Sequence, residues 1–178
     1  PVKLSLRGEQ KTILADEQPR NAKIDKIPSL KPAFKDGGTV TAANSSSISD
    51  GAAAMVITKL SIAEQLGVTP LATIVAHVTH AQEPEWFTTA PIGAIKKVLE
   101  KTNWDKNDVD LYEINEAFSV VVLAALKELD LNREKVNIHG GACAIGHPIG
   151  ASGARIIVTL MNSLEKYSLK KGVASLCI

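Results

Sequence analysis

The sequence is poor in the residues that mark several large classes of protein. It has only two cysteines, Cys143 and Cys177, in 178 residues. This is too few for the disulfide framework of a secreted domain and favours a reducing, intracellular setting. Aromatic residues make up 4%, and acidic and basic residues are interspersed with a net charge of +1, so no basic face predicts nucleic-acid binding. The longest apolar run, residues 117–126, contains Ser119 and is too short to cross a membrane.

The first residues also lack the marks of a chain start. They read P-V-K-L-S-L-R-G, without an initiator methionine or the apolar stretch of a secretion signal. We therefore expect a segment from the middle of a longer chain. A cytoplasmic location is expected, and a mitochondrial one stays open because the start of the chain is what would carry the targeting signal.

Glycine, by contrast, is concentrated in one place. Residues 137–155 read N-I-H-G-G-A-C-A-I-G-H-P-I-G-A-S-G-A-R. So much glycine is tolerated where a backbone must turn tightly or lie close to another group. The same stretch carries His139, Cys143 and His147, whose side chains can act as acids, bases, nucleophiles or metal ligands. This segment is the first candidate for a functional site.

Apolar periodicity and turn residues predict strands that alternate with helices. Strands are predicted at 2–6, 52–57, 71–78, 109–114 and 173–178. Helices are predicted at 58–66, 91–101, after Asn115 as a cap, and 152–167. This alternation implies an α/β domain with layered packing. Residues 39–51 are dense in small hydroxylated residues, which are consistent either with turns or with the wall of a polar ligand channel.

A metal site is one reading of the glycine segment. His139, Cys143 and His147 are spaced four apart, which on a helix would place three zinc ligands on one face. The surrounding glycines and Pro148 oppose a helix there, and no carboxylate partner is evident nearby. We therefore predict no metal site and interpret Cys143 as a core or loop residue.

Acid–base chemistry is the other reading. Asn115 lies at a strand-to-helix junction, His147 in the glycine segment and Cys177 at the end of a strand, which is where sites collect in α/β sheets. A neutral imidazole and an amide can donate to a developing oxyanion, and a thiol beside an imidazole can act as nucleophile or base. Spacing alone does not show that the three meet, and by that logic alone Cys177 is better explained as a buried small apolar residue.

Four motifs resemble the thiolases, specifically the acetyl-CoA acetyltransferase (acetoacetyl-CoA thiolase) branch. They are N-E-A-F at 115–118, G-H-P-I-G-A-S-G-A-R at 146–155, L-C-I at 176–178 and T-A-A-N-S-S-S-I-S-D-G-A-A-A at 41–54. They occur in the family's order over nearly the whole chain. The resemblance implies the thiolase-like layered αβαβα fold, mostly its C-terminal βαβαβαββ half. Residues 1–48 would end the loop domain, 49–69 would be the last strand and helix of the N-terminal half, and 70–178 a truncated C-terminal domain.

The resemblance also implies roles for single residues. His147 would activate a nucleophilic cysteine and help hold the thioester oxygen, while Asn115 would position a water that completes this oxyanion hole. Cys177 would be the acid and base that exchanges the α-proton of acetyl-CoA. Coenzyme A would be bound by Ser46 at its pantetheine and by Arg20 at its nucleotide end. The acyl pocket would be lined by Phe87 and Phe118.

The implied activity is Claisen condensation of two acetyl-CoA molecules to acetoacetyl-CoA and the reverse thiolytic cleavage. The expected ligands are acetyl-CoA, acetoacetyl-CoA and coenzyme A, without a further cofactor, in a homotetramer of fatty acid metabolism. The family's acylated cysteine belongs to the first half, and its glycine run follows the terminal cysteine, so these residues alone are expected to be inactive. The alternative is a non-catalytic acyl-CoA-binding module or complex subunit. The resemblance disfavours a related ketoacyl synthase, because those enzymes lack a cysteine base like the one that Cys177 would provide.

Overall fold

The computed structural model describes residues 1–177 and contains four strands and six α-helices in that range. The strands are β1 (Val2–Leu6), β2 (Glu9–Ile13), β3 (Leu111–Ile114) and β4 (Gly172–Ser175). The α-helices are α1 (Gln18–Asn21), α2 (Leu60–Gln65), α3 (Ala90–Thr102), α4 (Ser119–Leu129), α5 (Ala142–Ile145) and α6 (Ile149–Lys166). Short 3₁₀ turns occupy Ile24–Ser29, Ala42–Asn44, Pro84–Thr89, Lys106–Asp108 and Arg133–Lys135. None of the described helices is both long and apolar enough to span a membrane.

The parallel strands β3 and β4 form the centre of the α/β fold. Leu111 pairs with Gly172 in register, and Val136 adds an isolated parallel bridge to Tyr112. Tyr112 packs in the main apolar core with residues of α3 and α4, whereas the next residue, Glu113, faces Arg155 of α6. Because successive strand residues point to opposite faces, helices cover both faces of this sheet. The predicted α/β class is confirmed.

The helices α3 and α4 end where the sequence supplies a left-handed residue. Asn103 follows α3 with φ 54°, and Asp130 follows α4 with φ 49°. Short polar side chains tolerate this conformation better than others, which lets the last carbonyl groups find donors. Both predicted helices are confirmed, as is α2, whose stop at Gly67 has φ 64°.

The first strands form a separate antiparallel hairpin. Val2 pairs with Ile13, and the turn residues Arg7 and Gly8 both have positive φ, at 51° and 87°, which matches the twist of a two-residue hairpin turn. The strand predicted at 2–6 is confirmed. Its partner β2 reads E-Q-K-T-I, which carries too little apolar alternation to be predicted.

The strands predicted at 52–57 and 71–78 were wrong. Neither segment is assigned as a strand in the described chain, and Val56 is 97% and Leu71 84% exposed. A strand exists only with a neighbour that accepts and donates its backbone hydrogen bonds, and residues 1–177 supply none to these segments. Both segments carry the apolar residues of a strand, but no strand that could pair with them is among the described residues.

Two helix starts also differ from prediction. Asn115 does not cap α4; Phe118 holds that position, while Asn115 is buried and its backbone N–H donates to Ser175 of β4 at 2.9 Å. The helix predicted from Ser152 begins at Ile149 instead, directly after Pro148. The apolar residues after Asn115 are buried on the inner face of α4 only, since Val120 and Leu123 are exposed.

Candidate active site

The side chains of Asn115 and His147 meet although 32 residues separate them. Asn115 follows β3 and is 1% exposed, and its Nδ2 lies 3.3 Å from His147 Nε2. His147 lies between α5 and α6, where its backbone N–H donates to Ser47 at 2.9 Å. The sheet edge and the residue 47–48 segment therefore hold the two side chains together.

Ser152 sets the orientation and tautomer of His147. Its Oγ lies 2.5 Å from His147 Nδ1 and also donates to the carbonyl of Pro148 at 3.1 Å. Because the single hydroxyl proton is used at Pro148, Ser152 accepts from Nδ1–H, and the lone pair of the imidazole lies on Nε2. Nε2 then accepts from the Asn115 amide. Burial, aided by the positive charge of Arg155, lowers the pKa of His147, so the neutral form is present at pH 7.

Asn115 has one further group available to a ligand. Its Oδ1 is buried and has no hydrogen-bond partner among the described residues. A buried polar atom without a partner is costly, and such atoms in native proteins are often satisfied by an ordered water or a ligand. The arrangement fits the water-holding role that the resemblance implies for Asn115.

Cys177 lies two residues beyond β4, at the same edge of the sheet, because the strand predicted at 173–178 ends at Ser175; the last predicted residue, 178, lies outside the described residues. Parallel strands end at one edge, and the Asn115–Ser175 hydrogen bond fixes that edge where Cys177 leaves it. The thiol is 5% exposed within the core that contains Ile114. Burial raises its pKa, so the resting side chain is a protonated thiol.

The residues predicted to bind coenzyme A and the acyl group lie at varied distances from this pair. Ser46 is close, since its Oγ and its N–H both donate to the Ala117 carbonyl at 3.0 Å. Phe118 follows Ala117 in the chain, and its ring contacts that of Phe34 edge to face, with ring centroids 5.6 Å apart. Phe87 is 43% exposed in the turn before α3, and Arg20 is exposed on α1. No hydrogen bond among the described side chains joins Arg20 or Phe87 to the Asn115–His147 pair.

Two family models match this chain and decide its family. The model of the thiolase C-terminal domain matches residues 68–178, and that of the thiolase N-terminal domain matches residues 1–61. The chain belongs to the thiolase family. The family predicted from the motifs is confirmed.

Several similar thiolases share a common name. The cytosolic acetyl-CoA acetyltransferase of Mus musculus is 50% identical over 100% of the chain and 46% of its own length. The probable acetyl-CoA acetyltransferase of Dictyostelium discoideum is 48% identical over 96% of the chain and 41% of its own length. The crystal structure of the Bacillus anthracis acetyl-CoA acetyltransferase superposes with a TM-score of 0.94 at 44% identity, over the whole chain and 45% of that protein. The chain spans less than half the length of these relatives.

Several residues around the thiolase site were missed by sequence reasoning. Ser152 and Glu116 both fall inside the quoted motifs, yet only the folded chain shows what they bind. Glu116 receives hydrogen bonds from Asn137 and from the backbone of Cys143. Phe34 was missed because nothing in its neighbourhood marks it; it meets Phe118 across 84 residues of chain.

The three residues weighed as metal ligands have separate surroundings. His139 is exposed and stacks on Tyr167, with centroids 5.7 Å apart. Cys143 is half-buried in α5 with its Sγ 3.5 Å from Ser119 Oγ, and burial raises its pKa. His147 turns towards Ser152 and Asn115. Cys143 is therefore a half-buried residue of the short helix α5, whereas the sequence predicted a core or loop residue and no helix at this position.

Proposed function

We propose that these residues form part of an acetyl-CoA C-acetyltransferase, which condenses two acetyl-CoA molecules to acetoacetyl-CoA and catalyses the reverse thiolytic cleavage. The relatives' names support this reaction. The observation that carries the proposal is the contact between Asn115 and the Nε2 of a neutral His147 at the sheet edge that Cys177 leaves. The alternative of a non-catalytic acyl-CoA-binding module is not favoured, because the relatives are named as enzymes.

His147 acts first as a base and then as a donor. The thiol of the nucleophilic cysteine, which the resemblance assigns to the other half of the protein, replaces the Asn115 amide as the donor to the single Nε2 lone pair. Nε2 takes the thiol proton, and the thiolate attacks the substrate carbonyl. The imidazolium that results carries a proton on Nε2 and donates it as a hydrogen bond to the thioester oxygen of the substrate, which becomes negative as the enolate forms. A preorganised donor of this kind contributes on the order of 3 kcal/mol to a transition state. Ser152 accepts from Nδ1–H throughout.

Cys177 exchanges the proton on the α-carbon. In the cleavage direction, the C2–C3 bond of acetoacetyl-CoA breaks, the acetyl group stays on the nucleophilic cysteine, and the electron pair remains on C2 as the acetyl-CoA enolate. The Cys177 thiol then protonates that carbon and becomes a thiolate. It regains its proton from the coenzyme A thiol, which takes the acetyl group from the nucleophilic cysteine as the second acetyl-CoA. Its raised pKa suits this step, because the thiol is present at pH 7. In the condensation direction the thiolate removes the same proton.

Coenzyme A is proposed to lie along Ser46, with Arg20 near its nucleotide end and Phe87 and Phe118 beside the acyl group. The solved human mitochondrial 3-ketoacyl-CoA thiolase in complex with CoA, 35% identical with a TM-score of 0.84 over 99% of this chain and 44% of that protein, supports coenzyme A as a ligand class. The homotetramer, the role in fatty acid metabolism and the absence of a further cofactor stay predictions. A cytoplasmic location is supported by the word cytosolic in the mouse relative's name, although a solved relative is mitochondrial.

Substitution of His147 tests the proposal in the complete protein that contains these residues. His147→Ala should lower the rate of acetoacetyl-CoA cleavage in the presence of coenzyme A by about 10²- to 10⁴-fold, because it removes a base and a donor to the oxyanion. Asn115→Ala should lower the same rate by about 10²-fold, since it removes the partner of Nε2. Steady-state kinetics measure both.

His139→Ala is the matched control, because His139 lies in the same glycine segment but is exposed and stacks on Tyr167. It should keep the wild-type rate. Equal rates in His147→Ala and His139→Ala would refute the assignment, and a wild-type protein that does not cleave acetoacetyl-CoA would refute the activity.

A further inference from the structure

The carboxylate of Glu116 holds the glycine segment at two points. Its Oε1 accepts from the side chain of Asn137 at 2.9 Å, and its Oε2 accepts from the backbone N–H of Cys143 at 3.1 Å. The segment lies directly against this carboxylate, since a Cβ on Gly141 would be 2.5 Å from its carboxyl carbon. Glu116 therefore contacts the segment that leads to His147, and it does so from the strand-to-helix junction that carries Asn115.

Asn137 fastens the start of the same segment. It is 5% exposed and has φ 47°. Its Oδ1 accepts from the Ile114 N–H at 2.8 Å, and its Nδ2 donates to the Ile114 carbonyl at 2.8 Å. The amide thus forms the two hydrogen bonds that a neighbouring strand residue would form, and it continues the pairing begun by Val136 and Tyr112.

These contacts enclose Asn115 between two anchored neighbours. Ile114 is bound by Asn137, and Glu116 is bound by both Asn137 and Cys143, so the residues on either side of Asn115 are tied to the loop that leads to His147. We propose that Glu116 and Asn137 are positioning residues that set the distance between the amide of Asn115 and the imidazole of His147. Both groups that bind the Glu116 carboxylate are donors, so only a side chain with two acceptors satisfies them.

This inference rests on the proposed function for its kinetic consequence but not for its structural one. Glu116→Gln in the complete protein keeps the size of the side chain and replaces one acceptor by a donor, so one of the two hydrogen bonds is lost. We expect kcat for acetoacetyl-CoA cleavage to fall by about 10- to 100-fold while KM changes less than about threefold, because a small misplacement of reacting groups affects turnover most. The rate of hydrogen exchange at the backbone N–H of Cys143 should rise by about tenfold or more, because local opening of the segment becomes easier.

Two controls test the clamp, by which we mean the two hydrogen bonds that the Glu116 carboxylate accepts from Asn137 and Cys143, separately from other effects. Glu128→Gln removes an exposed carboxylate on α4 and should change neither measurement. Asn115→Ala should lower kcat and leave the exchange of Cys143 as in the wild type. If the wild type does not cleave acetoacetyl-CoA, the proposed function fails while the exchange measurement still tests the clamp.

Wild-type exchange at Cys143 in Glu116→Gln would overturn the proposal, whether or not activity changes. Should Glu116→Gln not fold, as judged by circular dichroism, Gly141→Ala gives a second test, because its methyl group pushes the loop away from an intact carboxylate. It should raise the exchange of Cys143 in the same way, and unchanged exchange would overturn the proposal.

Discussion

Ser152 shows how one hydroxyl group can decide the chemistry of a histidine. If its proton were free to bond Nδ1, the resting imidazole would carry its own proton on Nε2 and could not act as a base towards a thiol. The Pro148 carbonyl accepts that proton instead, because α6 begins directly after Pro148 and places Ser152 one turn into the helix. The start of a helix thus determines which nitrogen of His147 carries the proton and which one accepts from the Asn115 amide.

Glu113 is a second residue whose environment has a measurable consequence. Its side chain is 3% exposed and lies 3.9 Å from Arg155. Burial raises its pKa from 4.5 to about 7, against the opposing effect of Arg155 and with a contribution from Glu116. The folded state therefore binds a proton more tightly than the unfolded state, so the free energy of unfolding should fall as the pH rises from about 4.5 to about 7.

Glu113→Gln should remove this pH dependence, because the amide cannot ionise. Wild type and variant should unfold in urea with similar free energies near pH 5, and the wild type should become less stable than the variant by about 2 kcal/mol near pH 8. Glu100→Gln, which alters an exposed glutamate of α3, sets the background. A constant difference between wild type and Glu113→Gln across this pH range would contradict the buried, weakly compensated carboxylate.

At the scale of elements, the short connection between α5 and α6 depends on Gly146. This residue has φ 93°, and a methyl group there would overlap the side chain of Ser49. The neighbouring Ser47 accepts the backbone N–H of His147. A side chain at position 146 would therefore strain the backbone and also displace the segment that holds the histidine.

Gly146→Ala should lower the free energy of unfolding by about 2 to 4 kcal/mol, because backbone strain and steric overlap add. Gly67→Ala is the matched control: Gly67 also has positive φ, at 64°, but a methyl group there meets no atom within 4 Å. It should cost only about 1 kcal/mol, the price of the left-handed backbone alone. Equal losses in the two variants, measured by urea unfolding, would show that Ser49 does not constrain the connection.

The elements that the sequence could predict are those with complete local signals. The helices α3 and α4 have apolar faces, and each ends at a polar residue in the left-handed conformation. The strands β3 and β4 are short apolar runs that pair with each other. The segments 52–57 and 71–78 have equally apolar runs but no neighbour among the described residues, so the same pattern did not produce a strand.

The residues of the candidate site also differ in how well the sequence predicts them. Motif positions indicated Asn115, His147 and Cys177, whereas Ser152 and Glu116 needed hydrogen bonds that no sequence pattern specifies.

At the scale of the whole molecule, the described residues leave two apolar stretches on the surface. Val56 and Ile57 are 97% and 69% exposed, and Leu71, Ile74 and Val75 are 84%, 64% and 60% exposed. Both stretches also lack strand partners for their backbone groups. Contiguous exposed apolar residues and unpaired backbone favour association with another surface, and the rest of residues 1–177 gives these two stretches no cover.

The 178-residue chain produced by itself should therefore self-associate through these stretches. Light scattering over a tenfold dilution should show a mass that falls with concentration, and the double variant Val56→Ser with Leu71→Ser should weaken this association by about tenfold, because it removes apolar area worth on the order of 25 cal/mol per Å² from the contact. Leu14→Ser is the control, since Leu14 is 78% exposed but lies outside both stretches, and it should associate as the wild type does. A monomer at every concentration would contradict the argument, and so would equal effects of the double variant and the control.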